Sequence, residues 1–196
     1  MSGEVRRRRP GGRSAQVRLA VLAATLDVLS DRGATSFSIA EVAKRSGVHE
    51  TSIYRRWGTR ERLVVDAMSE LSTALLPIHD TGSLRDDLVA LGQALVKYVE
   101  SPLGESLTRT MACSDDDEPA AVARAQFWSA RYAECATIVD RAVDRQEVHS
   151  GTSARLLLEA FVAPIHFRLL LTREEVSTDA LEVLADIAIK GATDSS

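Results

Sequence analysis

The chain has little cysteine, little lysine and few aromatic residues, and these shortages restrict its class. Only Cys113 and Cys135 occur among 196 residues. Two cysteines are too few for a disulfide framework and are typical of a reducing compartment, so we expect a cytoplasmic protein. Aromatic residues make up 5% of the chain and three of its 24 basic residues are lysine. No apolar run approaches the roughly 20 residues that cross a bilayer, so we expect no membrane association.

Sequence signatures of catalysis and of metal binding are also missing. The chain has no phosphate-binding glycine loop and no Gly-x-Ser-x-Gly motif. The acidic run Asp115–Glu118 is better explained by carboxylates at a helix N-terminus than by a cation site. The four histidines are scattered, without the Cys/His spacing of a zinc site: His49, His79, His149 and His166. We therefore expect no enzyme, no metal and no cofactor.

Two short helical patterns meet at a glycine between Ser38 and Leu63. Ser38 is predicted to cap the first helix, with Glu41 as its reciprocal partner in a capping box. Gly47 ends this helix, because the tight turn needs a left-handed backbone conformation. A second helix from Glu50 to Trp57 has about two turns, enough to lie in one major groove. The arrangement predicts a helix-turn-helix.

The second helix combines an apolar inner face with a polar and basic outer surface. Ile53 and Trp57 are four residues apart and are predicted to point inward. The remaining side chains suit DNA, since small hydroxyls allow close approach and arginines bind guanine edges or phosphates. The alternative for Arg55 and Arg56 is that they only form a solvent-exposed face of the helix. Their position in a helix-turn-helix favours a role in DNA binding instead. The candidate contacts are Ser38, Glu50, Thr51, Ser52, Tyr54, Arg55 and Arg56.

Residues 47–63 resemble the DNA-binding domain of the TetR family of bacterial transcriptional regulators. That family typically reads Gly-Val-Ser-x-x-Thr-Leu-Tyr-x-His-Phe-x-Ser-Lys-Glu-x-Leu. This chain reads Gly-Val-His-Glu-Thr-Ser-Ile-Tyr-Arg-Arg-Trp-Gly-Thr-Arg-Glu-Arg-Leu. The resemblance implies that Ser52 contacts the operator, that Tyr54 binds a phosphate and that Arg60 supplies a cationic contact. His49 and Arg56 depart from the pattern, in place of a small cap residue and a frequent histidine.

Charge is distributed unevenly along the chain. Residues 1–62 carry 13 basic and 6 acidic side chains, a formal charge of +7, and the remaining residues carry −11. A basic head on an acidic body predicts attraction to DNA that weakens as salt rises. We expect residues 1–12 to be a disordered basic arm, since Arg6–Arg9 is followed by proline and glycine. The arm either enters the minor groove or adds only nonspecific affinity.

Helical periodicity continues to the end of the chain, and strand-like alternation is absent. We predict an all-α fold of about nine helices, with an N-terminal three-helix helix-turn-helix domain followed by a helical ligand-binding and dimerisation domain. A connector helix capped by Thr59 and stopped by Pro77 completes the first domain, residues 13–76. Residues 77–196 form the effector-binding and dimerisation domain. Its helices are predicted over 83–100, 103–113, 119–147, 152–171 and 178–191, with Pro164 kinking the fourth.

The last two predicted helices have apolar faces that either close the chain's own core or pair with a second subunit. The TetR resemblance implies the second, a four-helix bundle between two subunits. A homodimer would present two reading helices to a two-fold symmetric operator on double-stranded DNA. The candidate interface residues are Leu156, Leu157, Phe161, Ile165, Leu169, Leu181, Leu184 and Ala188.

The resemblance also implies a small-molecule cavity between the connector and the middle helices. Occupation of such a cavity moves the connector and spreads the two reading heads. Ordinary core packing is the alternative for every candidate, and the residue mix implies a mostly apolar effector. The candidate ligand-binding residues are Tyr98, Leu107, Met111, Phe127, Trp128, Tyr132 and His166.

Together these features predict a sequence-specific DNA-binding transcriptional regulator, cytoplasmic and nucleoid-associated when bound. The commonest mode in the resembled family is a dimeric repressor released by a small molecule. One alternative is a redox trigger at Cys113 or Cys135, which requires an exposed thiol of lowered pKa. The other is a helical interaction module whose basic head contacts an acidic protein or RNA.

Overall fold

The computed structural model describes residues 12–32, 37–113 and 118–193. Over these ranges the chain forms nine α-helices and no strand, which confirms the predicted all-α fold. No helix in the described ranges is long and apolar enough to cross a membrane. The helices are α1 (Gly12–Arg32), α2 (Ile39–Ser46), α3 (Glu50–Trp57), α4 (Arg60–Leu75), α5 (Leu84–Glu100), α6 (Pro102–Cys113), α7 (Glu118–Asp144), α8 (Ala154–His166) and α9 (Thr178–Thr193).

Two sequence predictions fall partly outside these ranges. Of the predicted basic arm, only Gly12 is described, and it is the first residue of α1. Residues 115–117 of the acidic run also lie outside the described residues, and Glu118 begins α7.

Helices α1 to α4 share one apolar core, which Leu107 of α6 and Phe127 of α7 also enter. Leu22 and Leu29 of α1 are at most 1% exposed, and Ile53 of α3 and Leu63 of α4 are fully buried. Each side chain of this kind contributes roughly 1.5–3 kcal/mol when it leaves water. Trp57 is also buried, so the predicted inner face of the second helix is confirmed. Leu63, Ala67 and Met68 of α4, the predicted connector helix, lie in this core. We therefore call α1 to α4 together the head.

The ends of the short helices follow the predictions in part. Gly47 ends α2 with a φ of +69°, as predicted. Thr59 caps α4, and its hydroxyl accepts a hydrogen bond of 3.2 Å from the backbone N–H of Arg62. The capping box at Ser38 is wrong, since the Ser38 side chain makes no capping hydrogen bond. The Glu41 carboxylate, the other half of the predicted box, binds Arg45 one turn later, at 3.1 Å.

Helices α5 to α9 form the rest of the described chain, which we call the body. There α5 packs against α7, α8 and α9 around a second core. Phe161 of α8 and Leu88 of α5 are fully buried, and Leu181 of α9 is 1% exposed. Gly92 allows the close approach of α5. A Cβ atom on Gly92 would lie 2.8 Å from Cδ2 of Leu181 and 2.9 Å from Cζ of Phe161. This contact fixes α5 directly against the last two helices.

A buried carboxylate fixes the turn between α4 and α5. Asp87 is fully buried and accepts hydrogen bonds of 2.7 Å from both the backbone N–H and the hydroxyl of Thr81. Arg141 of α7 and Arg145, which directly follows α7, approach its other oxygen at 3.4 and 3.6 Å. A buried charge needs such partners to offset its lost hydration. The turn that follows the connector is therefore tied to α7.

Helix α8 is shorter than predicted and changes character after Pro164. Residues Phe167–Thr172 continue it as π-helical turns, and Arg173 ends them with a φ of +60°. Proline lacks an N–H and crowds the preceding turn, which accounts for a wider helix directly after it. Phe167 and Leu171 in this segment are 55% and 69% exposed.

The structure places most of the predicted dimer residues in the chain's own core. Leu156 is 65% exposed and Leu184 is partly buried. The other six are buried in the chain's own core: Leu157, Phe161, Ile165, Leu169, Leu181 and Ala188. The physical reason is that α8 and α9 turn this face toward α5. The exposed large apolar residues of these segments are Leu156, which belongs to the predicted set, and four others that do not: Phe167, Leu171, Val183 and Ile187.

Candidate DNA-reading surface and interior cavity

The outer side of α3 carries the predicted DNA contacts. Glu50, Thr51 and Arg55 are exposed, Ser52 is half-buried, and Tyr54 is 49% exposed. Their direction follows from the two buried anchors of the same helix, because positions between inward residues of an α-helix point outward. Hydroxyl, phenol and guanidinium groups thus share one convex surface that a major groove can accept.

Two arginines flank this surface, each with its guanidinium near an aromatic ring. The guanidinium of Arg56 lies 5.4 Å from the ring centroid of Trp57, and its Nη1 donates to the Ser14 hydroxyl at 3.3 Å. Arg60 lies 5.3 Å from the ring centroid of Phe37, which is followed by the exposed Ser38. Positive groups held at the edges of a reading helix suit phosphates better than bases.

A polar network anchors α3 to α4 and α1. The indole of Trp57 donates to Asp66 at 2.9 Å, and Arg18 pairs with Asp66 at 2.6 Å and with Glu70 at 2.7 Å. Partial burial opposes ionisation of Asp66, but the hydrogen bonds from Arg18 and Trp57 outweigh it. They hold the pKa of this carboxyl below its ordinary value. The network makes α4 the support on which the reading helix rests.

An interior cavity of about 100 Å³ lies where α4 meets the body. Five of the predicted ligand residues line it: Tyr98, Phe127, Trp128, Tyr132 and His166. Sequence reasoning missed its remaining lining residues: Met68, Ser72, Leu76, Leu91, Leu95, Thr108, Arg131, Cys135, Leu158 and Val162. Helices α4 to α8 all contribute to the wall.

Of the other two predicted ligand residues, only Leu107 has a described side chain, and it does not line the cavity. Leu107 is fully buried in the core of the head, where α6 packs against α1. Its helical position therefore serves the junction between head and body. Met111 belongs to α6, but its side chain lies outside the described residues.

Apolar walls surround a few polar groups in the cavity. Burial raises the pKa of Tyr98 to about 12 and lowers the pKa of His166, so both are neutral near pH 7. The Thr108 hydroxyl donates to the carbonyl of Gly104 at 2.7 Å. Arg131 is 8% exposed and is the charged member of this lining.

Two family models match the chain. Residues 21–67 match the model described as "Bacterial regulatory proteins, tetR family", which covers α2, α3 and most of α1. Residues 78–188 match the model described as "Tetracyclin repressor-like, C-terminal domain". The chain belongs to the TetR family. This assignment confirms the resemblance first noted in residues 47–63.

Relatives of similar sequence and a solved structure of similar fold cover most of the chain. The HTH-type transcriptional regulator AqdR of Rhodococcus erythropolis is 36% identical over 154 residues, which cover 79% of this chain and 74% of AqdR. The uncharacterized HTH-type transcriptional regulator YdeS of Bacillus subtilis is 26% identical over 173 residues, covering 88% and 87%. The solved TetR family regulator SCO0332 has a TM-score of 0.75 at 27% identity, covering 90% of this chain and 98% of that one.

Membership of the TetR family establishes a DNA-binding transcriptional regulator rather than an enzyme. The α3 surface is thereby the candidate reader of this TetR regulator, and the alternative of a protein- or RNA-binding module is set aside. Burial raises the pKa of the Cys135 thiol, which opposes the thiolate that a redox sensor needs. The side chain of Cys113 lies outside the described residues.

Proposed function

We propose that this TetR regulator is a homodimeric repressor that leaves its operator when a mostly apolar small molecule enters the interior cavity. The observation that carries the proposal is the double role of α4. Met68 and Ser72 of this helix line the cavity, and Asp66, on the same helix, binds Trp57 of the reading helix. A ligand that displaces α4 therefore also displaces α3.

The size of the cavity supports a coupled movement. Sites for small organic ligands usually have volumes of roughly 300–1,000 Å³, larger than the cavity of about 100 Å³ in this structure. A ligand of that size enters only if the walls move apart. One wall is α4, so differential binding to the expanded state would shift the population of head positions.

Four lining residues separate the cavity from an outer groove between α7 and α8. Trp128, Tyr132, Val162 and His166 line both spaces. Outside this wall the guanidinium of Arg155 lies 5.1 Å from the Tyr132 ring and 2.8 Å from the Glu159 carboxylate. The shared wall supports entry of the ligand from the α7–α8 side.

Exposed apolar side chains on the last two helices support the homodimer. Five large apolar residues, between 55% and 69% exposed, lie on α8, the π-helical turns and α9. Exposed apolar side chains in such number on adjoining segments are typical of an interface. A two-fold dimer closed on these side chains would present two α3 helices to a two-fold symmetric operator in the cytoplasm, where the nucleoid provides the duplex.

Selection from genomic fragments with the purified protein tests the proposal. We expect recovery of a two-fold symmetric site, followed by release of the protein from that site by members of an apolar ligand panel. Recovery of random fragments alone would refute the operator claim. A recovered site from which no ligand releases the protein would leave DNA binding in place and remove the ligand trigger.

A further inference from the structure

We infer that the cavity binds an anionic amphiphile, with an acidic group on Arg131 and an apolar tail against the surrounding aromatic and aliphatic walls. This inference rests on the proposed function, since it names the class of molecule that acts as effector. The evidence comes from two polar side chains at the end of the cavity formed by α4 and α7.

Arg131 supplies the charge. Its side chain is nine-tenths buried, Nη2 donates to the Leu76 carbonyl at 2.8 Å, and Nη1 donates to Glu134 at 3.0 Å. A guanidinium has five N–H groups, so these two contacts leave donors for an acidic ligand. Among the described residues, no carboxylate lines the cavity with it. Arg131 is therefore the charged side chain that the described lining offers to a ligand.

Ser72 supplies an uncommitted hydroxyl. It is 5% exposed, lines the same cavity, and its Oγ has no hydrogen-bond partner within the described structure. Such a buried hydroxyl costs about 1–3 kcal/mol unless something satisfies it. Ser72 lies one helical turn before Leu76, whose carbonyl binds Arg131. A ligand oxygen at Arg131 is thus the group that would also satisfy Ser72.

The position of Glu134, the counter-charge of Arg131, favours an anionic ligand over a neutral one. Glu134 balances Arg131 from outside, because its side chain is 46% exposed and does not line the cavity. Water weakens that ion pair on its outer side, whereas a carboxylate in the apolar interior would meet Arg131 in a lower dielectric. Charge-assisted hydrogen bonds there are roughly twice as strong as neutral ones.

The same contact couples the ligand to the connector. Leu76 directly follows α4, and Arg131 satisfies its carbonyl at the negative end of that helix. An acidic group on Arg131 competes with this carbonyl for the same guanidinium. Binding therefore weakens the tie between the C-terminal end of α4 and α7.

Calorimetric titration of the full chain with octanoate and octanol tests the inference, because the two probes differ only in the charged group. We expect octanoate to bind about tenfold more tightly, the effect of one charge-assisted hydrogen bond. Arg131→Gln should abolish the preference. Arg85→Gln is the matched control, since Arg85 pairs with Glu182 and Asp186 away from the cavity. Equal affinities, or no binding of either probe, would overturn the inference.

Arg131→Gln could lose ligand binding simply because it does not fold, so Glu134→Gln provides a second test. This substitution keeps Arg131 and removes its exposed competitor, so octanoate affinity should rise severalfold while octanol affinity stays unchanged. A fall in octanoate affinity would contradict the assignment. Octanoate that binds through Arg131 without releasing the protein from its operator would preserve this site and refute the proposed ligand trigger.

Discussion

The indole Nε1 of Trp57 donates a hydrogen bond of 2.9 Å to Oδ2 of Asp66, which joins the last residue of α3 to α4. Arg18 of α1 binds the same carboxylate at 2.6 Å. A single aspartate therefore fixes the reading helix against both the first helix and the connector. Any displacement of α4 is transmitted to α3 through this group as well as through the apolar core.

Asp66 makes the stability of the head depend on pH. Its pKa lies below the ordinary 3.8 in the folded chain, so its contribution is present above pH 3.8 and is lost as pH falls through the folded pKa. Asp66→Asn should flatten the acid limb of the curve of unfolding free energy against pH. Asp140→Asn, which removes an exposed carboxylate of α7, is the control. Equal acid limbs in wild type and Asp66→Asn would contradict this role.

The α3 surface is predicted to divide into a phosphate contact and base contacts. Tyr54→Phe should weaken binding to every duplex, because a phosphate contact carries no sequence information. Arg55→Ala or Thr51→Ala should instead relax preference at particular operator positions, by roughly 1–3 kcal/mol per base contact. Affinities for the operator and its single-position variants give the measurement. Lys97→Ala, which removes an exposed cation of α5, is the charge control. Uniform effects of the Tyr54, Arg55 and Thr51 substitutions on all duplexes would contradict the division.

Charge on the exposed apolar face should prevent dimerisation. Leu171→Glu places a carboxylate at a position that is 69% exposed and is proposed to face the partner. Light scattering at micromolar concentration should report a dimer for wild type and a monomer for the variant. Val122→Glu introduces the same charge at a 50% exposed position of α7 and should remain dimeric. A wild-type monomer, or a dimeric Leu171→Glu, would show that this face is not the interface.

Gly92→Ala tests the close approach of α5 to α8 and α9. The added Cβ would lie under 3.0 Å from Leu181 and Phe161. Overpacking costs about 1–3 kcal/mol, and the higher helix propensity of alanine returns about 1 kcal/mol. We expect a net loss in urea unfolding, whereas Gly191→Ala in α9, whose Cβ meets nothing within 4 Å, should cost nothing. A stabilised Gly92→Ala would contradict the tight contact.

The helix-turn-helix was predictable because its determinants are local. Ile53 and Trp57 are one turn apart, and Gly47 supplies the backbone that the turn requires. The capping box was wrong although it is equally local, since the Ser38 side chain makes no capping hydrogen bond and the Glu41 carboxylate pairs with Arg45. Sequence spacing alone does not rank the possible partners of Glu41.

It was harder to predict which side of each body helix is buried, because this depends on residues that are distant in the sequence. Leu156 and Leu157 are adjacent, yet the first is 65% exposed and the second 2%, since α5 covers only one side of α8. Arg131 lies one turn from Phe127 and one turn from Cys135, so helical spacing placed it on the cavity stripe. An arginine among apolar residues signals a buried polar site, but the predicted set of aromatic residues, Leu107, Met111 and His166 did not include it.

Selective binding to an operator is the central claim, and competition between two duplexes tests it most directly. The recovered site and a scrambled duplex of the same length would be titrated with wild-type protein at low and high salt. We predict a preference on the order of a thousandfold that persists while both affinities fall with salt. Equal affinity for the two duplexes would contradict the account, because charge attraction alone would then explain all DNA binding.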